Sequence, residues 1–145
     1  MELKIKYKEG MPTLEQVKIG NWIDLYTRYD VVLSTPFQFE KIPLGVSIKL
    51  PTGYEAIIAP RSSTYERYNV IQTNGIGIID ETYCGNDDEW HFPCIFVPQY
   101  SGIILIPKHT RICQFRILKR MNNLEIKKVD FLENQNRGGF GSTGY

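Results

Sequence analysis

The chain has 145 residues, 42% hydrophobic and 23% charged, with a formal net charge of +1, a composition that fits one soluble domain burying roughly two-thirds of its unfolded surface. That near-neutral balance lacks the broad basic face that nucleic acid requires. No run approaches the roughly 18 apolar residues of a membrane span, and the N-terminus has no apolar signal core, so a cytoplasmic protein without membrane or nucleic-acid partners is expected. Its three cysteines follow no C-x-x-C pattern and its two histidines, His91 and His109, sit apart, which excludes a disulfide framework and a Cys/His zinc site.

Residues 2–8 alternate, with Leu3, Ile5 and Tyr7 on one side and lysines on the other, and predict a half-buried outer strand. Gly10 and Pro12 end it, and residues 13–21 read as a linker. Residues 22–26 predict an apolar strand with an acid, Asp24, inside it. A mid-strand acid is costly unless it is paired, hydrogen-bonded or close to a cation, so Asp24 either accepts backbone hydrogen bonds, faces water, or meets an arginine or metal ion. Residues 31–33 continue as strand, and Phe37 and Phe39 are expected to pack.

Residues 42–50 predict one strand with Val46, Ile48 and Leu50 on one face, then a turn at Pro51-Thr52-Gly53-Tyr54 and a buried run from Ala56 to Ala59. Ser63-Thr64-Tyr65-Glu66 has the form of a capping box, predicting a helix over about residues 64–68. With Arg61 before that helix start and Ser62 beside it, the segment either clamps an anion on free N–H groups or merely caps and pairs at the surface.

The stretch 74–85, Asn-Gly-Ile-Gly-Ile-Ile-Asp-Glu-Thr-Tyr-Cys-Gly, concentrates the chemistry. Ile76, Ile78 and Ile79 are stiff strand formers that are expected to be dry, and Asp80 stands where strand meets turn. A strand end holds a general base firmly, but the same aspartate also suits an ordinary hairpin turn. Residues 90–97 predict a buried strand in which Pro93 argues against a central ladder position. Residues 103–106 form a further strand, 107–110 a turn, and 111–118 alternate with Cys113, Phe115 and Ile117 on one face. Cys113 reads as a core residue, and Gln114 donates either to a ligand or to backbone. Leu124, Ile126 and Val129 suggest a last strand. The tail 136–145 crowds four glycines, Arg137 and two hydroxyls. It is either purposeless disorder or a segment that orders over a ligand, with Arg137 on phosphate and Phe140 over a planar ring. Many short strands, frequent Pro/Gly turns and one short helix indicate a single all-β sandwich or barrel-like domain over residues 1–145.

Five segments, 22–25, 60–63, 74–85, 111–114 and 137–144, resemble in content and order the five motifs of the trimeric deoxyuridine triphosphatase (dUTPase) family. Residues 60–65, 70–74 and 112–117 look most like versions from Gram-positive bacteria and their phages. The resemblance covers nearly the whole chain. It implies a distorted jelly-roll, β-clip-like, assembled as a homotrimer with shared active sites, and residues 134–145 acting as a flexible arm closing over one of them. The implied reaction is hydrolysis of dUTP to dUMP and pyrophosphate, with Mg2+ on the triphosphate. By that resemblance Asp80 is the general base for water attacking the α-phosphorus, and Arg61 supports catalysis. Tyr83 would pack under the deoxyribose, and Asn74 with nearby main chain would read the uracil edge. Ser62, Gln114, Arg137, Ser142 and Thr143 would hold phosphates, with Ser63, Ile79 and Gly141 also counted as substrate-binding. Asp24 would stand near the magnesium waters. The cover over uracil is Phe140 or, because the final motif is two residues shorter than the common form, the segment containing Trp90 and Phe92. His109-Thr110 replaces the common glycine-aspartate turn. The competing expectations are a dCTP deaminase of the same fold, and a nucleotide-sensing or protein-binding module.

Overall fold

The structure, a computed structural model, describes residues 1–15 and 18–139. Among these residues, eleven strands and one short helix are arranged in four antiparallel sheets. The expected all-β, distorted jelly-roll class with a single helix is what the chain forms. β1 (Lys4–Tyr7) pairs with β5 (Val46–Lys49), and β3 (Val31–Leu33) with β10 (Ile104–Ile106). β4 (Phe39–Pro43), β9 (His91–Phe96) and β7 (Val70–Gln72) form a three-stranded sheet with β9 at its centre. The fourth sheet runs β2 (Ile23–Tyr26), β11 (Arg111–Lys119), β6 (Tyr54–Pro60), β8 (Gly77–Ile79).

Alternation decides which side chains enter the core, because successive strand residues face opposite sides. In β9, Phe92, Cys94 and Phe96 point inward while His91, Pro93 and Ile95 are only half-buried. They meet Trp90, Phe115, Leu25 and Ile58 in one core. Trp90 stands edge-on to Phe115 with centroids 5.2 Å apart, a favoured aromatic geometry. Cys113 is a core residue as expected, and burial pushes its thiol well above the ordinary range. Burial, helped by the charge of Glu40, pushes the Cys94 thiol up to about 12.

Several expectations are corrected. The single strand over 42–50 is two strands, broken where Gly45 adopts φ 67°, a left-handed conformation that favours glycine. Phe37 and Phe39 do not pack; they are 70% and 59% exposed. Pro93 lies within a central strand, opposite Lys41. It lies just past the last paired residue of β7, where its carbonyl still accepts the Thr73 N–H at 3.1 Å, so the missing N–H falls where that ladder ends. Ile112 and Cys113 are both buried, against strict alternation, because the β2–β11 register shifts between Arg111 and Cys113; a bulge re-aims side chains in this way. Residues 124–129 form no strand: the segment 120–139 has no regular structure and is exposed. Ile76 and Ile78 are not dry either, Ile78 being 71% exposed, because alternation turns Ile78 away from the covered side that Gly77 and Ile79 face, and Ile76 precedes the strand.

α1 spans Thr64–Tyr68, as predicted, but the capping box does not form. Ser63 occupies the N-cap without a side-chain bond. The buried Thr64 hydroxyl ties the helix start instead, accepting from Arg61 N at 3.0 Å and donating to the Ile112 carbonyl at 2.8 Å.

Candidate active site

Pairing of β8 with β6 places Ile79 opposite Ala56 and Gly77 opposite Ile58. Asp80 therefore emerges immediately beyond a paired strand. Its carboxylate oxygen Oδ1 accepts the Thr82 N–H at 2.7 Å and also the Thr82 hydroxyl. An aspartate bonding the N–H two residues on is the side-chain turn that Asp commonly makes. The turn reading of this residue is what the structure shows, and its carboxylate is also exposed to solvent. The Thr82 hydroxyl, then the Thr82 and Tyr83 backbone N–H groups, hold its carboxyl below the usual value. Both Thr82 bonds fall on one oxygen, so Oδ2 is left to accept from something else.

A cleft of about 200 Å³ adjoins this turn, lined by Asn74, Gly77, Ile79 and Tyr83 among others. Small-molecule sites are usually about 300–1,000 Å³, so the cleft suits part of a ligand rather than a whole nucleotide. Tyr83 donates its hydroxyl to the Glu89 carbonyl at 3.2 Å. The Glu89 carboxylate is itself held by Arg28 at 3.1 Å and by the Gly45 N–H at 2.9 Å, which fixes the base of the loop. On the other side, Glu81 anchors the turn to Arg120 and to the Gly53 N–H.

A second cluster forms where β2, β11 and the end of β6 meet. Asp24 Oδ1 lies 3.0 Å from Arg61 Nε, and its Oδ2 lies 3.5 Å from Arg111 Nη1. Of the alternatives for Asp24, arginine is therefore the neighbour that the fold provides. Gln114 faces Asp24 in the register and donates to the Pro60 carbonyl at 3.1 Å, so its amide meets backbone. Ser62 lines the same cleft with Asp24, Arg61 and Gln114. Two guanidiniums against one carboxylate leave net positive charge facing solvent, as an anion site needs.

The two clusters are separate within one chain. From Ala56, opposite Ile79, to Arg61, just past Pro60, the chain runs about 17 Å at about 3.4 Å per residue. Arg137 is exposed in the irregular segment and belongs to neither cluster. Phe140, Gly141, Ser142 and Thr143 lie outside the described residues. Trp90 and Phe92 are excluded as a cover, because both are fully buried in the core. Sequence reading passed over Thr82, Arg111 and Gln72. Thr82 was legible as the residue two beyond an aspartate in a turn; Arg111 was visible as the start of a strand and of the segment 111–114 but had no role assigned, since its partner Asp24 is remote in sequence.

No group of three or more His, Cys, Asp or Glu that could hold a metal occurs among the described residues. Magnesium seldom needs such a cage: it keeps several waters and binds one or two carboxylates plus substrate phosphates. Asp24, with an arginine beside each oxygen, would meet magnesium arriving with a phosphorylated ligand only through the ion's waters.

A family model described as dUTPase matches residues 22–144. The SPbeta prophage-derived deoxyuridine 5′-triphosphate nucleotidohydrolase YosS of Bacillus subtilis is 46% identical over 145 residues, covering 99% of each chain. The deoxyuridine 5′-triphosphate nucleotidohydrolase of Finegoldia magna is 35% identical over 150 residues, covering 100% of each. Among solved structures, the dUTPase of Staphylococcus bacteriophage 80alpha with dUPNHPP superposes with a TM-score of 0.79 at 21% identity, covering 99% of both chains. A mutant dUTPase from phage phi11 of S. aureus, whose structure is described as revealing the coordination of a structural Mg(II) ion, gives 0.74 at 19% identity, covering 92% of this chain and 100% of that one.

Proposed function

Because the chain belongs to the dUTPase family, hydrolysing dUTP to dUMP and pyrophosphate, we propose that the Asp80 turn carries the chemical step and that the arginine cluster receives the phosphates. Asp80 Oδ2 takes a proton from a water whose oxygen bonds to the α-phosphorus. The bond from that phosphorus to the α,β-bridging oxygen breaks, and pyrophosphate leaves with the electron pair. The observation supporting this role is the turn itself: Oδ1 is fixed by Thr82 while Oδ2 accepts no hydrogen bond among the described residues, and Ile79 and Tyr83, before and after Asp80 in the chain, both line the cleft. A carboxylate held below its usual pKa is ionised at neutral pH, so it is ready to accept a proton wherever a water is held within hydrogen-bonding reach.

Asn74 and the adjoining main chain, Ile79 included, read the uracil edge, and Tyr83 packs under the deoxyribose. Arg61, Ser62, Ser63 and Gln114 face the triphosphate, with Arg137, Gly141, Ser142 and Thr143 added by the arm over residues 134–145 of this one domain, and Phe140 as the cover over the base. Magnesium on the triphosphate, with Asp24 near its waters, would offset phosphate charge and aid departure of pyrophosphate. Arg61 and Arg111 orient the same oxygens from the protein side.

The site is completed between chains. A separation of about 17 Å along β6 is too long for one chain's Asp80 and Arg61 to meet one α-phosphate. Self-association as a homotrimer with shared sites supplies the missing half. The exposed Ile76, Ile78, Val32 and Leu105 offer apolar surface for it. No helix among the described residues is long and apolar enough to cross a membrane, and a cytoplasmic location suits the substrate.

Mixing two inactive variants, Asp80→Asn and Arg61→Ala, after dissociation and reassembly tests this directly. Mixed assemblies recover part of the dUTPase activity if one chain's aspartate works with another chain's arginine. If the mixture stays as inactive as its components, each site is built within one chain and the reading fails.

A further inference from the structure

The polarity of the cleft has a source behind the groups that reach the ligand. Gln72, the last residue of β7, is only 6% exposed. Its Nε2 donates to the Ile58 carbonyl at 3.2 Å and to Asn74 Oδ1 at 2.9 Å. These two contacts fix each other. A carbonyl oxygen only accepts, so Ile58 determines which end of the Gln72 amide faces it. The NH₂ group turned that way also donates to Asn74, and it can meet only the oxygen of that amide. Asn74 Oδ1 is thereby drawn inward, and Nδ2 is the end left to a ligand. Gly77 permits the close approach: a Cβ there would stand 3.2 Å from Ile58 Cβ, 3.5 Å from Gln72 Nε2 and 3.7 Å from Asn74 Nδ2. Gln72 Oε1 is buried without a partner among the described residues, so this amide is held by its donor end alone.

We propose that Gln72 is a positioning residue that sets pyrimidine choice by locking the polarity of the Asn74 amide. The inference rests on the reading of Asn74 as a contact to the base. Locked, Asn74 offers a donor, which satisfies the 4-oxo group of uracil and opposes the 4-amino group of cytosine. Released from Gln72, the Asn74 amide turns and offers its oxygen as readily as its nitrogen, so the amino group of cytosine is accepted. The loss therefore falls on discrimination between bases rather than on the step at phosphorus.

Gln72→Met keeps the length of the side chain and removes its donors. Pyrophosphate release from dUTP and from dCTP is measured for the parent, Gln72→Met, Asn74→Ala and the double variant. The ratio of kcat/KM for dUTP over dCTP is expected to fall about ten-fold or more in Gln72→Met, because a polar site that no longer matches its base loses its selectivity. The double variant is expected to fall no further than Asn74→Ala. If Asn74→Ala collapses the ratio while Gln72→Met preserves it, the positioning role is overturned and the role of Asn74 stands. If Asn74→Ala preserves the ratio, Asn74 does not read the base and the proposal goes with it. Should Gln72→Met fail to fold, hydrogen exchange on the unaltered protein decides: the Gln72 side-chain NH₂ protons are expected to be protected, and exchange at the free solvent rate overturns the lock.

Discussion

Asp80 and Asp24 are the same side chain put to opposite uses. Asp80 stands at the end of an edge strand, exposed, with one oxygen tied to Thr82 and the other free. Asp24 sits inside β2 with an arginine on each oxygen, at 3.0 and 3.5 Å. A carboxylate with a free oxygen can take a proton from water. One with both oxygens occupied by guanidiniums has little left to give, but it holds those cations in place. The contrast shows that chemistry here is allotted by what neighbouring elements leave unpaired, and that residue type alone does not assign the role.

Removing the free oxygen is the strongest way to break this comparison. Asp80→Asn keeps the shape of the turn but cannot accept the proton. Turnover is expected to fall by roughly 10²–10⁴-fold or more, the range for loss of general-base catalysis, with dUTP binding by calorimetry close to the parent value. Parental turnover in Asp80→Asn would put the base elsewhere. Arg61→Ala strikes the other region. It is expected to lower kcat/KM by about 10²-fold, as for loss of one donor to transition-state charge, while leaving the acid limb of the pH–rate profile where it was. A shift of that limb would mean that the Arg61 charge reaches Asp80 across the shared site.

How far each region could be read beforehand follows from the range of its contacts. The Asp80 turn is local: glycines, isoleucines, Asp80 and Tyr83 lie within a dozen residues, and the strand and turn were both legible. Its exposed isoleucines were not, because whether the outer face of β8 is covered depends on what packs over it. The second cluster joins residues from three strands remote in sequence, so Asp24 could be read as an acid in need of a partner, without the partner being identified. The β-bulge at Arg111, the Gly45 break and the unformed strand over 124–129 share one cause. Alternation predicts which side a residue faces, while register and the presence of a partner strand are set by tertiary packing. The capping box failed for a related reason: Thr64, one position on, has a carbonyl from β11 to bond, and Ser63 has none.

Asp24→Asn sharpens the comparison at lower amplitude. The variant loses the charge that draws Arg61 and Arg111 together but keeps an amide able to bond one of them. The pairs are partly exposed, with Asp24 at 26% and Arg111 at 58%, so solvent screens them, and the stability change is expected to be about 1 kcal/mol or less. The effect should appear in dUTP affinity, with KM rising by no more than about ten-fold and kcat moving less. A fall in kcat matching that of Asp80→Asn would show that Asp24 takes part in proton transfer and would erase the distinction between the two carboxylates.

The smallest effect probes how Thr82 prepares Asp80. Hydrogen bonds favour the ionised carboxylate, and the largest contribution here comes from the Thr82 hydroxyl, with the Thr82 N–H next. Thr82→Val deletes the hydroxyl and keeps the N–H, so part of the lowering is lost and the carboxyl pKa rises toward its ordinary value. Because the carboxyl must be ionised to act as base, a higher pKa moves the acid limb of kcat to higher pH, while the plateau at neutral pH changes little. The sign also holds for stability: a lowered folded-state pKa favours the fold above the unfolded value and loses that contribution as pH falls through the folded one. The variant should therefore lose a small acid-sensitive contribution that the parent has. A pH–rate profile of Thr82→Val that superimposes on the parent would mean that the carboxyl limiting the acid limb is not the one bonded by Thr82, and the search for the base would move away from the β8 turn.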